Sequence, residues 1–470
     1  MDFHVSLHGR DDLTGQIYQQ VKAAILDGRL RAGDALPPTR ELARRLEVAR
    51  NTVSAAYDRL TAEGFVAART GSGTFVRAAG FDRRPEPASG HDLAPRAVWD
   101  SIKPPRGDTR EFEFDFRVGY PDPQLFPYAT WRRLLTRQFT PARIGPLGHD
   151  VAAAHPPLRE ALARHVGVSR AVRAGADDVI VTNGAQQAFD LVGRVLVEPG
   201  TVVALENPGY VAPRHLFTSF GAEVVSVPVD SEGIVVDALP DNARIVYVTP
   251  SHQFPLGMPM SLPRRTALLD WAERTGAVVL EDDYDSEFRF GGRPIEPLQN
   301  LDRAGRVIYI GSLSKVLMPV LRLGFLIAPA SLRPALTAAK YVSDWQSARP
   351  LQAALAEFID EGLLARHIRR SRREYQARHE LIMTVLRSDF ADVLELVPSM
   401  AGLHLSGYLV GDLDDRRVWK SAKRVEVGVY PLSAFGGRSG LVIGYGAIQQ
   451  SRIAEGLRRL RACIDPITDG

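Results

Sequence analysis

The stretch Arg306-Val-Ile-Tyr-Ile-Gly-Ser-Leu-Ser-Lys315, with Arg322-Leu-Gly324 seven residues on, decides the fold. Val307 to Ile310 form a short apolar run, the pattern of a buried strand, and Gly311 breaks it. Ser312, Ser314 and Lys315 follow on the loop that leaves the strand. A lysine so placed can form a Schiff base with an aldehyde, while hydroxyls and an arginine bind a phosphate. Those are the requirements of pyridoxal 5′-phosphate (PLP). The same residues also describe an exposed Ser/Lys loop, so the surrounding chain has to discriminate.

Outward from this stretch the pattern repeats. Asp178-Val-Ile-Val-Thr-Asn183 precedes Gly184-Ala-Gln-Gln187 and an apolar helix through Phe189, Leu191 and Leu196. Val202-Val-Ala-Leu205 precedes Glu206-Asn-Pro-Gly-Tyr210, and Arg244-Ile-Val-Tyr-Val248 precedes Thr249-Pro-Ser-His-Gln-Phe-Pro-Leu-Gly257. Ala277-Val-Val-Leu280 precedes Glu281-Asp-Asp-Tyr-Asp285, and Leu323-Gly-Phe-Leu-Ile-Ala328 adds a strand. Short apolar strands alternating with helices predict an α/β fold: a mainly parallel sheet with helices on both faces. Ligands of such sheets bind at the carboxyl ends of the strands, where all these polar clusters fall.

Chemistry assigns each cluster a task. Gly184, Ala185 and Gln186 open a helix whose free amides accept a dianionic phosphate. Ser312, Ser314 and Arg322 complete that phosphate site. Tyr210 can lay its ring against a pyridine face. Asp282, placed just past a buried strand, can pair with the pyridinium nitrogen, and Tyr284 can donate to the 3′-oxygen. Lys315 is the Schiff-base lysine. Singly, Asp282 also reads as a strand-end acid and Tyr210 as a packed core ring. Their convergence favours the cofactor.

A chain of 470 residues spans two or three domains, and 45% hydrophobic with 24% charged residues describes a globular protein with a sizeable core. The net charge of +3 does not by itself advertise nucleic acid. A single cysteine, Cys463, excludes an intramolecular disulfide framework and a cysteine-based metal cluster, so no metal is expected. That usage fits a reducing cytoplasm, and no apolar run has the length of a membrane span. The start, Met1-Asp-Phe-His4, lacks the pattern of a signal peptide.

Near the N-terminus, Leu13, Ile17, Val21, Ala24 and Ile25 recur at helical spacing up to Gly28. A second helix is expected after Leu36-Pro-Pro-Thr39, with Thr39 capping its free amides. Glu47-Val-Ala49 then leads to a third helix from Arg50 to about Glu63, exposing Arg50, Asn51, Thr52 and Ser54 near its start. Two helices joined by so short a turn describe a helix-turn-helix, whose second helix enters the major groove by its N-terminal residues. Gly64-Phe-Val-Ala-Ala-Arg69 and Thr74-Phe-Val76, around Gly71-Ser-Gly73, predict a hairpin wing. From residue 29 to residue 77 nine arginines face five acids, an excess suited to phosphates first and sequence second. A small helical cap domain is the plainer alternative. Residues 78–112 turn rich in Pro, Gly, Arg and Asp and read as a tether, with a short patch at 93–102 suited to a docked turn or helix.

These residues reach a family. Asp34-Ala-Leu-Pro-Pro-Thr-Arg-Glu-Leu-Ala43, Val48-Ala-Arg-Asn-Thr-Val53, Glu63-Gly-Phe65 and Gly71-Ser-Gly-Thr-Phe-Val76 closely resemble the winged helix-turn-helix of GntR-type regulators. The resemblance implies DNA contacts from Thr39, Arg40, Arg50, Asn51, Thr52 and the wing around Gly73. The strand-end clusters resemble fold type I aminotransferases, with the Ser-x-Ser-Lys loop and Arg-Leu-Gly closing motif of the kynurenine/2-aminoadipate branch. Joined, the two resemble MocR/GabR-type (PdxR-like) regulators, as do Asp115-Phe-Arg-Val-Gly-Tyr-Pro-Asp122, Leu125-Phe-Pro127 and Trp131-Arg-Arg133. The resemblance implies a head-to-tail homodimer in which each DNA-binding domain rests on its partner's body. The expected layout is a DNA-binding domain over 11–77, a linker over 78–112 and a PLP-binding body over 113–465. Within the body a large subdomain is expected at about 150–335 and a small one at about 340–465.

Two departures matter. Aminotransferases usually carry an arginine on a C-terminal strand that forks onto the substrate carboxylate. Here Gly440-Leu-Val-Ile-Gly-Tyr445 places Val442 at that position, with Arg438 four residues upstream as a substitute clamp. Similar sequences also carry a tyrosine, reaching the partner's cofactor phosphate, where His149 stands; an ordinary loop histidine fits His149 equally well. The expected function is a cytoplasmic PLP-dependent transcriptional regulator that binds operator DNA. Its body senses a small effector, PLP itself or an amino acid or amine, without net turnover. A working aminotransferase with a fused DNA-binding domain is the rival reading, and a body serving only as a dimerisation scaffold is the third.

Overall fold

The computed structural model describes residues 5–9, 11–69, 71–77, 93–103, 110–144, 155–291, 295–345 and 347–468. His149 lies outside them. The chain divides into two compact units, Met1–Pro95 and Arg96–Gly470.

In the first unit, helix Leu13–Leu26 starts where the Asp12 carboxylate accepts from the Gly15 amide at 3.0 Å. It buries Ile17, Tyr18, Val21, Ala24 and Ile25. The second helix spans Thr39–Leu46, with Pro38 in the cap position and no side-chain cap bond. Thr39 is therefore the first helical residue rather than the expected cap, because Pro38 already sets the entry into the helix. Glu47 turns the chain at φ 54°, and the third helix runs Arg50–Ala62. Val53, Ala56, Tyr57 and Leu60 form its buried face, and the Tyr57 hydroxyl donates to the Pro37 carbonyl at 2.9 Å. Strands Val66–Arg69 and Gly73–Val76 pair antiparallel, with Arg69 opposite Gly73. This is a winged helix-turn-helix.

In the second unit a short helix, Val98–Ser101, falls within the docked patch expected near it, and the Arg96 guanidinium donates to the Ser219 carbonyl at 2.7 Å. The central sheet has eight strands in the order Val179–Thr182, Gly324–Ile327, Val307–Ser312, Val278–Asp283, Ile245–Val248, Val202–Asn207, Glu223–Asp230, Gly233–Ile234. Gly324–Ile327 runs antiparallel to both neighbours, and the five strands from Val307–Ser312 to Glu223–Asp230 are mutually parallel. Their C-terminal ends therefore share one edge. Helices cover both faces with separate apolar clusters, one around Phe189, Tyr247 and Ile308, the other around Val246, Trp271 and Val279. A second sheet, antiparallel in the order Leu394–Leu396, His404–Leu409, Gly440–Gly444, Tyr430–Pro431, forms the small subdomain. Phe114–Asp115 pairs with Val427–Gly428, and the Gly444 amide donates to Phe116 at 2.7 Å. These bonds fix the segment leading to Gly119 against the small subdomain.

Candidate functional site

The shared sheet edge collects the residues singled out from sequence. Lys315 leaves strand Val307–Ser312 after two loop residues, and its Nζ donates to the Gly119 carbonyl at 2.7 Å. Burial pushes its pKa down, opposed by the charges of Asp285 and Asp282. A lysine shifted this way holds more of its amine in the nucleophilic, unprotonated form.

Asp282 lies inside strand Val278–Asp283 rather than just past it, because the β run continues through the acids. Its Oδ2 accepts from the Tyr247 hydroxyl at 2.7 Å, while its buried Oδ1 has no partner among the described residues. Burial lifts its pKa to about 7, with the Tyr247 bond opposing. Glu206, at the end of strand Val202–Asn207, is likewise raised to about 7 by burial. Its Oε2 accepts from the Thr249 amide at 3.1 Å and the Thr249 hydroxyl at 2.7 Å.

A cradle lies at the start of helix Ala185–Leu196. Gly184 adopts φ 77°, and a Cβ there would stand 2.9 Å from Arg322 Nη2. Only glycine combines that dihedral with so close a guanidinium. Arg322, itself at φ 51°, donates from Nη2 to the Asn183 carbonyl at 2.7 Å. The Ser314 amide donates to Ser312 Oγ at 3.2 Å. Ala185 is half-buried and Gln186 exposed; Gln187, by contrast, is tied to the Asn183 amide at 2.8 Å and to Asp344 at 2.9 Å.

Aromatic rings line the remaining side. Tyr210 meets Phe254 edge-on at 5.7 Å, and Phe254 meets Tyr284 at 6.1 Å. The Tyr284 hydroxyl bonds to both the carbonyl oxygen and Nδ1 of His252, each at 2.9 Å. Val442 is fully buried in an apolar cluster with Leu256, Met258 and Leu432. Arg438 does not supply a substitute clamp: it is exposed, pairs with Glu395 at 3.1 Å and stacks on Tyr408 at 3.7 Å. Its place ahead of the buried strand sends it to solvent.

The sequence reading missed Gly119, Tyr247, Glu206 and His252. Gly119 and His252 stand in motifs already quoted, but only the fold brings them beside Lys315 and Tyr284. Tyr247 sits in a run that reads as plain core strand.

In the first unit Arg40, Arg50, Asn51 and Gly73 are exposed, and Thr39 and Thr52 are half-buried. Arg40 and Arg50 have no ion pair or side-chain hydrogen bond among the described residues. That leaves two unpaired guanidiniums at helix starts, the position from which such helices meet phosphate.

A winged helix-turn-helix followed by a fold type I, aminotransferase-like body defines a class of DNA-binding regulators. Residues 13–76 match the family "Bacterial regulatory proteins, gntR family", and residues 152–460 match "Aminotransferase class I and II", typically a PLP-binding domain. The chain is 37% identical to the probable rhizopine catabolism regulatory protein MocR of Rhizobium meliloti, over 95% of this chain and 92% of that protein. It is 31% identical to the pyridoxine biosynthesis transcriptional regulator PdxR of Corynebacterium glutamicum, over 94% and 93%. The body superposes on the α-aminoadipate aminotransferase LysN of Thermus thermophilus with a TM-score of 0.70 at 30% identity, covering 76% of this chain and 93% of that one. The chain belongs to the MocR family of GntR-type transcriptional regulators. No described helix is long and apolar enough to cross a membrane.

Proposed function

We propose that the body binds PLP at Lys315 and that occupancy of this site sets how the winged helix binds its operator. The observation that carries the reading is the unpartnered Oδ1 of Asp282. A buried carboxylate oxygen without a donor is unfavourable, and a pyridinium nitrogen would satisfy it. The cradle of Gly184, Ala185, Gln186, Ser312, Ser314 and Arg322 fits a phosphate dianion. When bound, PLP supplies a reactive aldehyde and an electron-withdrawing ring. Lys315 would anchor it, Asp282 would hold the ring nitrogen's proton, Tyr210 would face the ring and Tyr284 its 3′-oxygen. Thr39, Arg40, Arg50, Asn51, Thr52 and the Gly73 wing would contact DNA.

Sensing rather than turnover is favoured by Val442, which packs with Leu256, Met258 and Leu432 and cannot itself hold a carboxylate. PLP itself is the preferred effector, in keeping with the pyridoxine biosynthesis named for one relative; an amine or amino acid is the next. A head-to-tail homodimer is the proposed assembly. In the test, the visible spectrum and the operator affinity of the full chain are measured with and without PLP. A Schiff-base band that vanishes in Lys315→Ala, with a PLP-dependent operator affinity, is expected. A band without any change in DNA affinity would discard PLP as effector. Steady-state transfer to a 2-oxo acid would return the aminotransferase reading.

A further inference from the structure

Behind Tyr284 lies a buried polar seam that the cofactor site does not use. His252 Nδ1 is 3.0 Å and 3.1 Å from the two Asp285 oxygens, and its Nε2 is 3.3 Å from Ser399 Oγ. A carboxylate only accepts, so the ring proton sits on Nδ1 and Nε2 accepts from Ser399. The connectivity is Ser–His–Asp, but Ser399 is 5% exposed and its hydroxyl also lies 3.3 Å from the Ala401 carbonyl. A hydroxyl so enclosed does not meet a substrate, so a nucleophile is the wrong reading.

The seam instead joins two subdomains. His252 and Asp285 belong to loops of the large sheet, and Ser399 to the segment that enters the small sheet at His404. That segment closes tightly over the histidine. A Cβ on Gly402 would lie 2.0 Å from His252 Cε1 and 2.6 Å from Asp285 Oδ2. The Tyr445 hydroxyl holds the Gly402 carbonyl at 2.8 Å, and the His404 ring stands 4.7 Å from that of His252. His404 itself donates to the Pro255 carbonyl at 3.0 Å, so the three groups are already bonded and do not form an open metal site.

We propose that His252 is a positioning residue that passes the state of the Lys315 pocket to segment 399–404. The inference rests on the PLP reading. Without cofactor, the Nδ1 proton is shared between Asp285 and the Tyr284 oxygen. A cofactor oxygen that took the Tyr284 O–H donation now made to the His252 carbonyl would draw the phenol oxygen out of reach of Nδ1, leaving that proton to Asp285 alone. Polarised by the carboxylate, Nε2 becomes the better acceptor and draws the Ser399 hydroxyl away from Ala401. Segment 399–404 is thereby held more firmly to the large subdomain.

The test is hydrogen–deuterium exchange of the full chain, read on peptides covering 399–404, with saturating PLP and without. In the wild-type protein PLP is expected to slow exchange there about fivefold, the equivalent of one ordinary hydrogen bond. Ser399→Ala should form the same PLP band but lose the slowing. Tyr284→Phe should show the slow exchange already without PLP, because its histidine proton belongs to Asp285 throughout. Faster exchange in Tyr284→Phe, or equal slowing in wild type and Ser399→Ala, overturns the proposal. A wild-type protein with no PLP band overturns the PLP reading and this inference together, an outcome distinct from a band without slowing.

Discussion

Replacing Asp282 by asparagine separates what this residue does for the fold from what it would do for a cofactor. The amide keeps the shape, and its oxygen can still accept from Tyr247, but the charge is gone. Burial has lifted the carboxyl from an ordinary 3.8 to about 7. Three units correspond to roughly 4 kcal/mol of penalty on the ionised form, reduced to about 2 kcal/mol if the site relaxes and admits water. The folded pKa lies above the unfolded one, so the folded state binds more protons between the two values. Stability therefore falls as pH rises through that window, and the full penalty stands above about pH 7. At pH 8, PLP-free Asp282→Asn is expected to melt several degrees higher than wild type. Its PLP affinity should move the other way, by about 100-fold, because a charged hydrogen bond to the ring nitrogen is lost. Calorimetry or dye-monitored melting gives the first number, and a titration of the Schiff-base band gives the second. Unchanged PLP affinity, or a lower melting temperature without PLP, would refute the assignment of Asp282 to the ring.

Other substitutions probe other parts. Gly184→Ala places a Cβ against the Arg322 guanidinium at a strained φ of 77°; it should erase about tenfold of the preference for PLP over pyridoxal, measured by competitive titration. Arg50→Ala should weaken binding to all DNA sequences alike and lower the salt slope by about one, read by fluorescence anisotropy across ionic strengths. Because Val442 stands among Leu256, Met258 and Leu432, an α-carboxylate should add little. Alanine and ethylamine should perturb the PLP spectrum at similar concentrations, whereas a buried arginine clamp would separate them by on the order of tenfold or more.

Much of the fold was legible because it follows from periodicity. The strand-then-polar-cluster rhythm from Val179 to Lys315 places its side chains on one sheet edge whatever the loops do. The winged helix was legible for the same reason, since its apolar spacing and Gly71-Ser-Gly73 turn leave few alternatives. Distant pairings were not legible. Gly119 reaches Lys315 only because Phe114–Asp115 joins the strand Val427–Gly428, more than three hundred residues away in the chain. Tyr247 looks like any aromatic in a strand until Asp282 is seen on the neighbouring one. Nor could spacing show that Arg438 turns outward to Glu395.

The distribution of charge in the site bears on sensing against turnover. Efficient transamination requires groups that orient the substrate, because positioning supplies much of the rate. Here the charge lies instead at buried Asp282, whose Oδ1 has no partner among the described residues, and at Arg322 over the Gly184 turn, the groups proposed above to hold the cofactor. On the proposed reading, an ionised Asp282 is disfavoured until a pyridinium arrives. The roughly 2–4 kcal/mol at stake there equals about thirtyfold to a thousandfold in an equilibrium constant. A near-complete switch between two states needs about 5.5 kcal/mol of differential binding, so relief at this one carboxylate would supply a substantial share of it. A conformation that keeps Asp282 dry would then be rare without PLP and common with it. On that reading such a device responds to the cofactor itself and needs no substrate clamp, so Val442 and Asp282 argue for the same proposed effector.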